Sequence, residues 1–300
     1  MNDTFLAVVN PAAGGGRGQN LIGPALDRLR TGGIAVELAE TDRSGHASQI
    51  AADAYARGYR NFIAVGGDGT SYEIVNGLFP LPNSAEPPTL AFLPLGTGNS
   101  FLREFTDRGA EHAIEALLAH HSRPCDVLRM QHANGTIYYI NLLSMGFAAD
   151  VAALRARHLS GWGEVGYQAS IFISLVRLRR RPFPLRVDAE QQIDRRPCLF
   201  LTFNNSKYTG GTMMIAPKAE VNDGLIEYVR WGPIGRIGLI RNLATLYDGT
   251  HIQHPLAERR SAKRIDFDLE GPIDVMVDGE VLNLHCKTLD VLPSALNVVV

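Results

Sequence analysis

The sequence feature that most constrains the fold is a glycine-rich turn at residues 66–70, which reads Gly-Gly-Asp-Gly-Thr. It follows a short apolar run, Ile63–Val65, and precedes a segment with helical character, Tyr72–Leu78. A strand, a tight turn and a helix in this order bring backbone N–H groups together at the helix N-terminus, where they can bind an anion. The aspartate inside the turn, Asp68, is unusual there, because a carboxylate repels a phosphate unless a metal ion or a proton transfer requires it.

Two further turns of the same kind follow apolar runs. The run Phe5–Val9 leads into the glycine-rich residues 10–18, and the run Thr89–Leu93 leads into Pro-Leu-Gly-Thr-Gly-Asn at residues 94–99. Apolar periodicity predicts a further strand at residues 34–39 and helices at residues 20–30 and 46–57. Alternating strands and helices predict an open, mostly parallel sheet covered on both faces, whose ligands lie at the carboxyl ends of the strands. All three glycine-rich turns fall at those ends.

The pattern of apolar and turn residues changes after about Asp126. Short alternating runs appear, separated by Gly, Pro, Asn and Asp turns, which is typical of an antiparallel β-sandwich. Helical insertions are predicted at residues 166–180 and 234–247. We therefore predict an α/β domain with an open, mostly parallel sheet at residues 1–126 and a β-sandwich domain with helical insertions at residues 127–288, with residues 289–300 as candidates to rejoin the first domain.

Composition and charge narrow the functional classes. A net charge of −2 over 300 residues provides no basic field that would favour nucleic acid. The three cysteines are widely spaced, which predicts neither a disulfide framework nor a zinc site and fits a reducing cytosol. The sequence has no uncharged apolar run of about 18 residues and no signal-peptide pattern, so we expect a cytoplasmic protein without a transmembrane helix.

Three motifs together carry a family resemblance. The turn at residues 66–70 lacks the lysine of a P-loop and the spacing of the dinucleotide fingerprint, and alone it could be a glycine-rich turn without a ligand. Together with Asn10-Pro11 after Val9 and with residues 94–99, it resembles the diacylglycerol kinase catalytic domain. That superfamily includes bacterial soluble lipid kinases, sphingosine kinases and ceramide kinases. Further resemblance to its substrate domain covers residues 141–147, 208–211, 215–217, 222–224 and 278–280.

The resemblance implies two domains with the active site in the cleft between them, where the γ-phosphoryl of ATP passes to a lipid hydroxyl with the help of Mg²⁺. It implies that Glu280 is the general base and that Asp68 is linked to the phosphates through water and magnesium, or is itself the base. It also implies that Asp126 is another acid of this magnesium network, and that Glu220, Asp223 and the carbonyl of Leu225 form a structural metal site. The implied nucleotide-binding residues are Asn10, Pro11, Ala12, Ala13, Gly14, Thr41, Gly66, Gly67, Asp68, Gly69, Thr70, Ser71, Tyr72, Glu73, Gly96, Thr97, Gly98 and Asn99.

The chemistry of phosphoryl transfer supports these roles independently. The reaction requires positioning, charge neutralisation and a group that accepts the hydroxyl proton. Backbone N–H groups and Mg²⁺ can neutralise charge, and a carboxylate near the alcohol can act as the base, worth about 10²–10⁴-fold in rate. From spacing alone, Glu280 could be a hairpin residue after an Asp-Gly turn, and Glu220 with Asp223 could be a solvated acidic turn. Oxygen ligands suit Mg²⁺ or Ca²⁺ rather than zinc.

Two positions depart from the family pattern. Asn222 stands where many bacterial members have an acid of the magnesium network. Ala152 stands where sphingosine kinases have an acid, two positions after an aspartate equivalent to Asp150, that is proposed to bind the amine of the substrate. Without that counter-charge a neutral lipid is favoured, so we expect diacylglycerol to be converted to phosphatidic acid, with sphingosine or ceramide as the alternative substrates.

A basic cluster predicts contact with a membrane. It comprises Arg177, Arg179, Arg180 and Arg181, and it follows the apolar segment 162–176. Clustered cations near an anionic leaflet contribute about 1 kcal/mol each, so we expect peripheral contact with the inner face of the membrane, where the lipid substrate lies. The alternative is a solvated helix end whose cations complement the helix dipole. The sequence leaves a homodimer open.

Two other functions remain as alternatives. NAD kinase also carries Gly-Gly-Asp-Gly-Thr on a related α/β domain, although residues 94–99 and 208–217 favour a lipid kinase. A nucleotide- or lipid-binding regulator that kept the fold is the non-enzymatic alternative. The presence of both Asp68 and Glu280 argues against it, because a protein without catalysis needs neither acid.

Overall fold

The computed structural model describes residues 2–13, 19–81, 86–94, 99–159 and 163–300. Its first part alternates strands and helices, as the apolar pattern predicts. The strands are β1 (Asn2–Val9), β2 (Val36–Glu40), β3 (Tyr59–Gly66) and β4 (Thr89–Pro94). The helices are α1 (Gln19–Thr31), α2 (His46–Ala56), α3 (Asp68–Leu78) and α4 (Ala110–Leu118). The strands lie in the order β2-β1-β3-β4 and are all parallel, which confirms the predicted sheet.

Helices cover both faces of this parallel sheet. On one face α2 and α3 pack against the sheet through Ala51, Ile74 and their neighbours. On the other face α1 and α4 pack through Leu26, Leu29 and Ile114. Strands that are buried on both faces need continuous apolar runs, as in the buried parts of β1, β3 and β4, whereas the edge strand β2 is partly exposed and carries Glu37 and Glu40.

The second part is built mainly from antiparallel strands. They are β5 (Ser122–His132), β6 (Gly135–Tyr139), β7 (Leu142–Gly146), β8 (Arg181–Pro182), β9 (Leu185–Val187), β10 (Pro197–Cys198), β11 (Phe200–Asn204), β12 (Tyr208–Thr209), β13 (Met213–Met214), β14 (Ile226–Trp231), β15 (Ala257–Ala262), β16 (Arg264–Phe267), β17 (Ile273–Val277), β18 (Glu280–Leu284) and β19 (Cys286–Val299). One sheet has the order β15-β14-β11-β7-β17-β18 and is antiparallel throughout, which confirms the predicted class of the second domain.

Helices in the second part cover the outer face of that sheet. They are α5 (Phe147–Leu154), α6 (Gly163–Val176), α7 (Arg236–Arg241) and α8 (Thr245–Asp248). A π-helical turn spans Arg155–Leu159, and 3₁₀ turns span Leu102–Glu104 and Thr250–Gln253. The core beneath these helices contains Trp231, Leu239 and Leu246. No helix among the described ranges is both long enough and apolar enough to cross a bilayer.

Two long strands join the parts. β19 pairs in parallel with β4 at Asn297–Val299 and runs antiparallel to β5 along most of its length. β19 also pairs with β16, so a single sheet extends from the parallel strands into the second part. β5 and β19 each cross a boundary expected from the sequence, at 126/127 and 288/289, and the boundaries themselves remain a prediction. The β17–β18 hairpin belongs to the other, six-stranded sheet, which packs against the shared sheet through a common core.

Candidate active site

Asp68 is the first residue of α3, so this helix begins inside the glycine-rich turn rather than after it. Gly67 precedes it as the N-cap with extended backbone, and a carboxylate in the first turn is stabilised by the helix dipole. One carboxylate oxygen of Asp68 accepts a hydrogen bond from the backbone N–H of Ser100 at 3.0 Å. Burial raises the pKa of Asp68, and the hydrogen bonds from Ser100 and Phe101 oppose that rise.

Glu280 reaches the same place from the second part of the chain. It opens β18 directly after the Asp-Gly turn at residues 278–279. A Cβ atom placed on Gly69 would lie 2.5 Å from a carboxylate oxygen of Glu280, so the glycine leaves the space that this side chain fills. A Cβ atom placed on Gly279 would lie 4.0 Å from the Cβ of Asp68. The two turns therefore face each other in contact, with one acid on each.

The electrostatics of Glu280 suit a proton acceptor. Partial burial raises the pKa of Glu280, and the negative charge of Glu73 raises it further. A carboxylate with a raised pKa is a stronger base than an ordinary one when it is ionised. The side chain of Glu280 is still exposed, so a hydroxyl group can approach it from outside.

Asp278 holds the turn that carries Glu280. Its carboxylate is buried and accepts backbone N–H bonds from Ile140, Asn141 and Leu142, at 3.1, 3.1 and 2.9 Å. Its own N–H donates to the carbonyl of Leu142 at 3.0 Å. Burial raises the pKa of Asp278 to about 7, with a further contribution from the negative charge of Asp68. The left-handed backbone of Asp278, at φ 45°, is fixed by these bonds.

Ser100 connects the first part of the chain to the second beside Asp68. Its hydroxyl oxygen accepts the N–H of Gly211 at 3.0 Å, and its side chain also hydrogen-bonds to Asp68. Only 4% of Ser100 is exposed, so both contacts are shielded from water. The loop after β4 therefore links Asp68 to the glycine pair at residues 210–211.

The predicted phosphate-binding residues gather at the carboxyl ends of β1, β3 and β4. The N–H of Asn10 donates to the carbonyl of Val65 at 3.0 Å, and the side-chain oxygen of Asn10 accepts the N–H of Ala12 at 3.0 Å. The start of α3 has no capping hydrogen bond from a side chain of the described residues, so its N–H groups suit an anion. A cavity of about 10 Å³, the size of one water, lies there. Its lining includes Gly66, Gly67, Asp68, Ser71 and Asn99.

Packing within the first part accounts for several of these positions. A Cβ atom on Gly66 would lie 2.4 Å from the hydroxyl oxygen of Thr70, so strand β3 and helix α3 approach closely only because this residue is glycine. The hydroxyl of Ser71 donates to the carbonyl of Asp68 at 2.8 Å. Pro11, Ala12 and Ala13 form the turn after β1. The predicted ligands Gly14, Gly96, Thr97 and Gly98 lie outside the described residues.

Other predicted nucleotide-binding residues have partners of their own. The carboxylate of Glu73 accepts the N–H groups of Gly45 and Ala47, at 2.7 and 3.0 Å, and so satisfies the N-terminus of α2. The ring of Tyr72 packs in the core between the two sheets of the second part. Thr41 donates its N–H to the last residue of β1 at 2.8 Å. Their roles in nucleotide binding remain a prediction.

The predicted metal residues lie around one turn. Both carboxylate oxygens of Asp126 accept backbone N–H groups, from Gly224 and Ser294, each at 2.7 Å. One oxygen of Asp223 accepts the N–H of Leu225 at 2.9 Å. Burial raises the pKa of Asp223, and repulsion from Asp126 and Glu220 adds to that rise. Among the described residues no group of three or more His, Cys, Asp or Glu side chains is arranged to hold a metal ion, so the full ligand set stays a prediction.

The basic cluster lies beyond the end of α6, which stops at Val176 rather than near residue 180. Arg177, Arg179 and Arg180 are exposed. Arg181 instead forms an ion pair with Asp150, and its guanidinium lies over the ring of Phe183, with 5.5 Å to the ring centroid. The structure therefore leaves three of the four predicted arginines free to face a surface.

Sequence reasoning did not identify Ser100 or Asp278 as site residues. Ser100 directly follows the motif at residues 94–99, and Asp278 lies two residues before Glu280, so proximity to a motif was the available signal. Their importance depends on contacts with Gly211 and with residues 140–142, which are distant in sequence. No local pattern encodes those contacts.

Comparisons with known proteins identify the family of this chain. Residues 4–130 match the family model described as "Diacylglycerol kinase catalytic domain". Residues 141–300 match the model described as "YegS C-terminal NAD kinase beta sandwich-like domain". A diacylglycerol kinase of Mycobacterium tuberculosis is 28% identical over 296 residues, which span 97% of this chain and 93% of the relative. A diacylglycerol kinase of Bacillus subtilis is 26% identical over 301 residues, which span 95% of each protein.

Solved structures support the same fold. A crystal structure from Bacillus anthracis str. Sterne matches 99% of this chain and 95% of its own chain, with a TM-score of 0.79 at 22% identity. A crystal structure of a diacylglycerol kinase from the same strain has a TM-score of 0.70 at 21% identity and matches 99% of this chain and 96% of its own. At these identities the likeness establishes the fold alone. With both family models matched over nearly its whole length, this chain belongs to the diacylglycerol kinase catalytic-domain family, a family of lipid kinases, and carries the YegS-type C-terminal domain.

Proposed function

We propose that this protein transfers the γ-phosphoryl of ATP to the hydroxyl of diacylglycerol at a membrane surface and forms phosphatidic acid. The observation that carries the proposal is that Asp68 and Glu280 lie on two turns that contact each other. One turn follows β3 at the carboxyl end of the parallel sheet, and the other joins β17 to β18 in the second part of the chain. A kinase needs such a meeting, because the nucleotide and the alcohol must be held by separate surfaces that close on one point.

The contacts favour different roles for the two acids. Asp68 accepts backbone and side-chain hydrogen bonds from Ser100, so its carboxylate is fixed in position and part of its capacity to accept hydrogen bonds is already occupied. Glu280 is exposed and its pKa is raised. No hydrogen bond from another described residue to its carboxylate competes with a substrate hydroxyl. Glu280 is therefore the better proton acceptor, and Asp68 the better orienting group for the nucleotide side of the site.

A divalent cation fits the chemistry of this chain. Asp223 is repelled by Asp126 and Glu220, and a bound cation would relieve that repulsion. Asp223 and Glu220 would supply oxygen ligands of the kind that Mg²⁺ prefers, while Asp126 holds the turn through Gly224. That cation would be structural. The Mg²⁺ that accompanies ATP would instead neutralise the charge of the phosphates during transfer, and Asp68 is the acid expected to be linked to it.

The surroundings of Asp150 favour a neutral lipid. The carboxylate of Asp150 is paired with Arg181, and the position two residues later is Ala152. An amine on the substrate would therefore find no free carboxylate on this part of α5. We expect diacylglycerol to be phosphorylated well above sphingosine when both are presented in the same mixed micelles, and the reverse order would refute this part of the proposal.

The reaction is tested by transfer of labelled γ-phosphate from ATP to diacylglycerol, to NAD, and to a total lipid extract, each with Mg²⁺. Labelled phosphatidic acid supports the proposal. Labelled NADP would instead support an NAD kinase, and absence of transfer to every acceptor would support a binding protein without catalysis.

Two variants separate the roles of the acids. Glu280→Gln should reduce kcat by about 10²–10⁴-fold with little change in KM for ATP, because it removes a base and leaves the nucleotide side intact. Asp68→Asn should raise KM for ATP as well as lower kcat. Glu270→Gln, an exposed acid of the same domain, is the control and should have no effect. A Glu280→Gln enzyme with full kcat would exclude Glu280 as the base.

A further inference from the structure

The outer surface of the helices α6, α7 and α8 is unusually apolar. Ile237 and Phe172 are 68% and 67% exposed, and Ile240 is 59% exposed. Of the ten large apolar side chains that are exposed among the described residues, six belong to this surface, which we call the helical face. Its members are Phe172, Val176, Ile237, Ile240, Leu243 and Tyr247.

The two helical insertions that carry the helical face are joined at the end of α6. The guanidinium of Arg236, at the start of α7, donates to the carbonyls of Leu175 and Val176, at 3.1 and 2.6 Å, and so fixes α7 against the end of α6. Phe172 and Val176 are four residues apart on α6 and share one side of it. Ile237 and Ile240 are three residues apart on α7 and likewise share one side of it. Leu243 lies in the turn between α7 and α8, and Tyr247 lies on α8.

Burial of the opposite side shows that this exposure is specific. Leu239 and Leu246 point into the core against the sheet, and Leu175 packs at its margin. These helices are therefore apolar on both sides, although one side would suffice to attach them to the sandwich. Scattered single apolar side chains are normal on a surface, whereas a contiguous group of this kind marks an interaction site.

Exposed arginines flank the members of the helical face along the chain. Arg177, Arg179, Arg180 and Arg241 are exposed, and none forms an ion pair with a carboxylate of the described residues. The second basic run behaves differently, because Arg259, Arg260 and Arg264 are each paired with acids: Glu227, then Glu190 and Glu258, then Asp266. The exposed acid nearest to these residues along the α7–α8 segment is Asp248, at the end of α8.

We propose that the helical face inserts into the headgroup layer of an anionic bilayer and docks the enzyme on the membrane that holds its substrate. Exposed aliphatic and aromatic side chains flanked by arginines match such a surface in both polarity and charge. The inference rests on the proposed function only for the identity of the lipid substrate. The sequence predicted membrane contact through segment 162–176 and the four arginines that follow it. The structure adds the apolar residues of α7 and α8 to this surface, and it removes Arg181, which is paired with Asp150.

The test is binding to vesicles, which requires no activity. Ile237→Glu/Ile240→Glu should weaken flotation with vesicles of phosphatidylcholine and phosphatidylglycerol by at least about tenfold, because two side chains lose their burial in lipid. The matched control is Leu21→Glu/Leu38→Glu, which changes two exposed apolar residues of the first domain and should bind like the wild type. Equal binding of both double variants would overturn the proposal.

Charge is tested separately from apolar insertion. Arg177→Gln/Arg241→Gln should weaken binding to anionic vesicles by about fivefold for each arginine, and should leave binding to pure phosphatidylcholine unchanged. An equal loss on both kinds of vesicle would contradict a role of charge. Neither pair of substitutions alters a buried residue, and thermal unfolding should confirm that the variants are folded.

Two further measurements distinguish this proposal from its rivals. If the helical face instead joined two copies of the chain, the wild type would elute as a dimer, Ile237→Glu/Ile240→Glu would elute as a monomer, and vesicle binding would not change; that result refutes membrane docking. A short-chain diacylglycerol in free solution should be phosphorylated equally by both proteins. If neither protein phosphorylates it while vesicle binding still differs, the proposed reaction fails and the docking surface stands.

Discussion

Gly69 offers the most direct test of the contact between the two turns. A Cβ atom at this position would lie 2.5 Å from a carboxylate oxygen of Glu280, whereas ordinary contact begins at 3.4 Å. In Gly69→Ala the carboxylate must therefore move by about 0.9 Å. The atom that moves is the end of a flexible side chain, so the fold can accommodate the change. A displacement of about 1 Å in a reacting group can lower the rate by about 10²-fold.

We expect Gly69→Ala to lower kcat by about 10²-fold without loss of stability. Alanine is more favourable than glycine within a helix by about 0.5–1 kcal/mol, so the free energy of unfolding should stay equal or rise. The assay is steady-state transfer of labelled phosphate to diacylglycerol, combined with urea unfolding. Gly77→Ala, in the same helix, is the contrasting variant: its Cβ would lie 2.1 Å from the backbone oxygen of Ser48, so it should lose stability.

A double-variant cycle decides whether the loss acts through Glu280. In a Glu280→Gln background the displaced group no longer serves as the base, so Gly69→Ala should have little further effect on kcat. If Gly69→Ala lowers kcat by the same factor in both backgrounds, the reasoning from this contact is refuted. A wild-type kcat for Gly69→Ala alone would refute it as well.

Three further predictions concern residues that position the acids. Ser100→Ala removes the acceptor for the N–H of Gly211 and a hydrogen bond that lowers the pKa of Asp68, so activity should fall about tenfold and the acid limb of the pH–rate profile should move to higher pH; an unmoved limb would contradict this. Glu73→Gln removes a charge that raises the pKa of Glu280, so the acid limb should move to lower pH, while loss of the charged acceptor at α2 should lower the free energy of unfolding by about 1 kcal/mol. Asp278 has a folded pKa of about 7 against an ordinary value of 3.8, so between these values the folded state binds a proton that the unfolded state does not. The free energy of unfolding should therefore fall as pH rises through that window, and urea unfolding of Asp278→Asn should lack this slope.

Local patterns in the sequence were sufficient for the parallel half of the fold. The apolar runs at Phe5–Val9 and Thr89–Leu93 became β1 and β4, and the periodic segments at residues 20–30 and 46–57 became α1 and α2. These patterns succeed because a sheet with helices on both faces requires continuous apolar strands and helices that are apolar on one side. Both features can be recognised within a short stretch of sequence. Helix α3 was predicted too short, since glycines conceal its true start at Asp68.

The sequence by itself therefore determined the fold class, the family resemblance and the pair of acids. Tertiary structure alone decided that Gly69 makes room for Glu280, that Asp278 fixes the hairpin through residues 140–142, and that Ser100 joins Asp68 to Gly211. It also decided that α6 and α7, which both expose apolar side chains, are held together by Arg236. The physical reason is that propensity and periodicity are local, whereas burial, pKa and contact depend on residues brought together from more than a hundred positions apart.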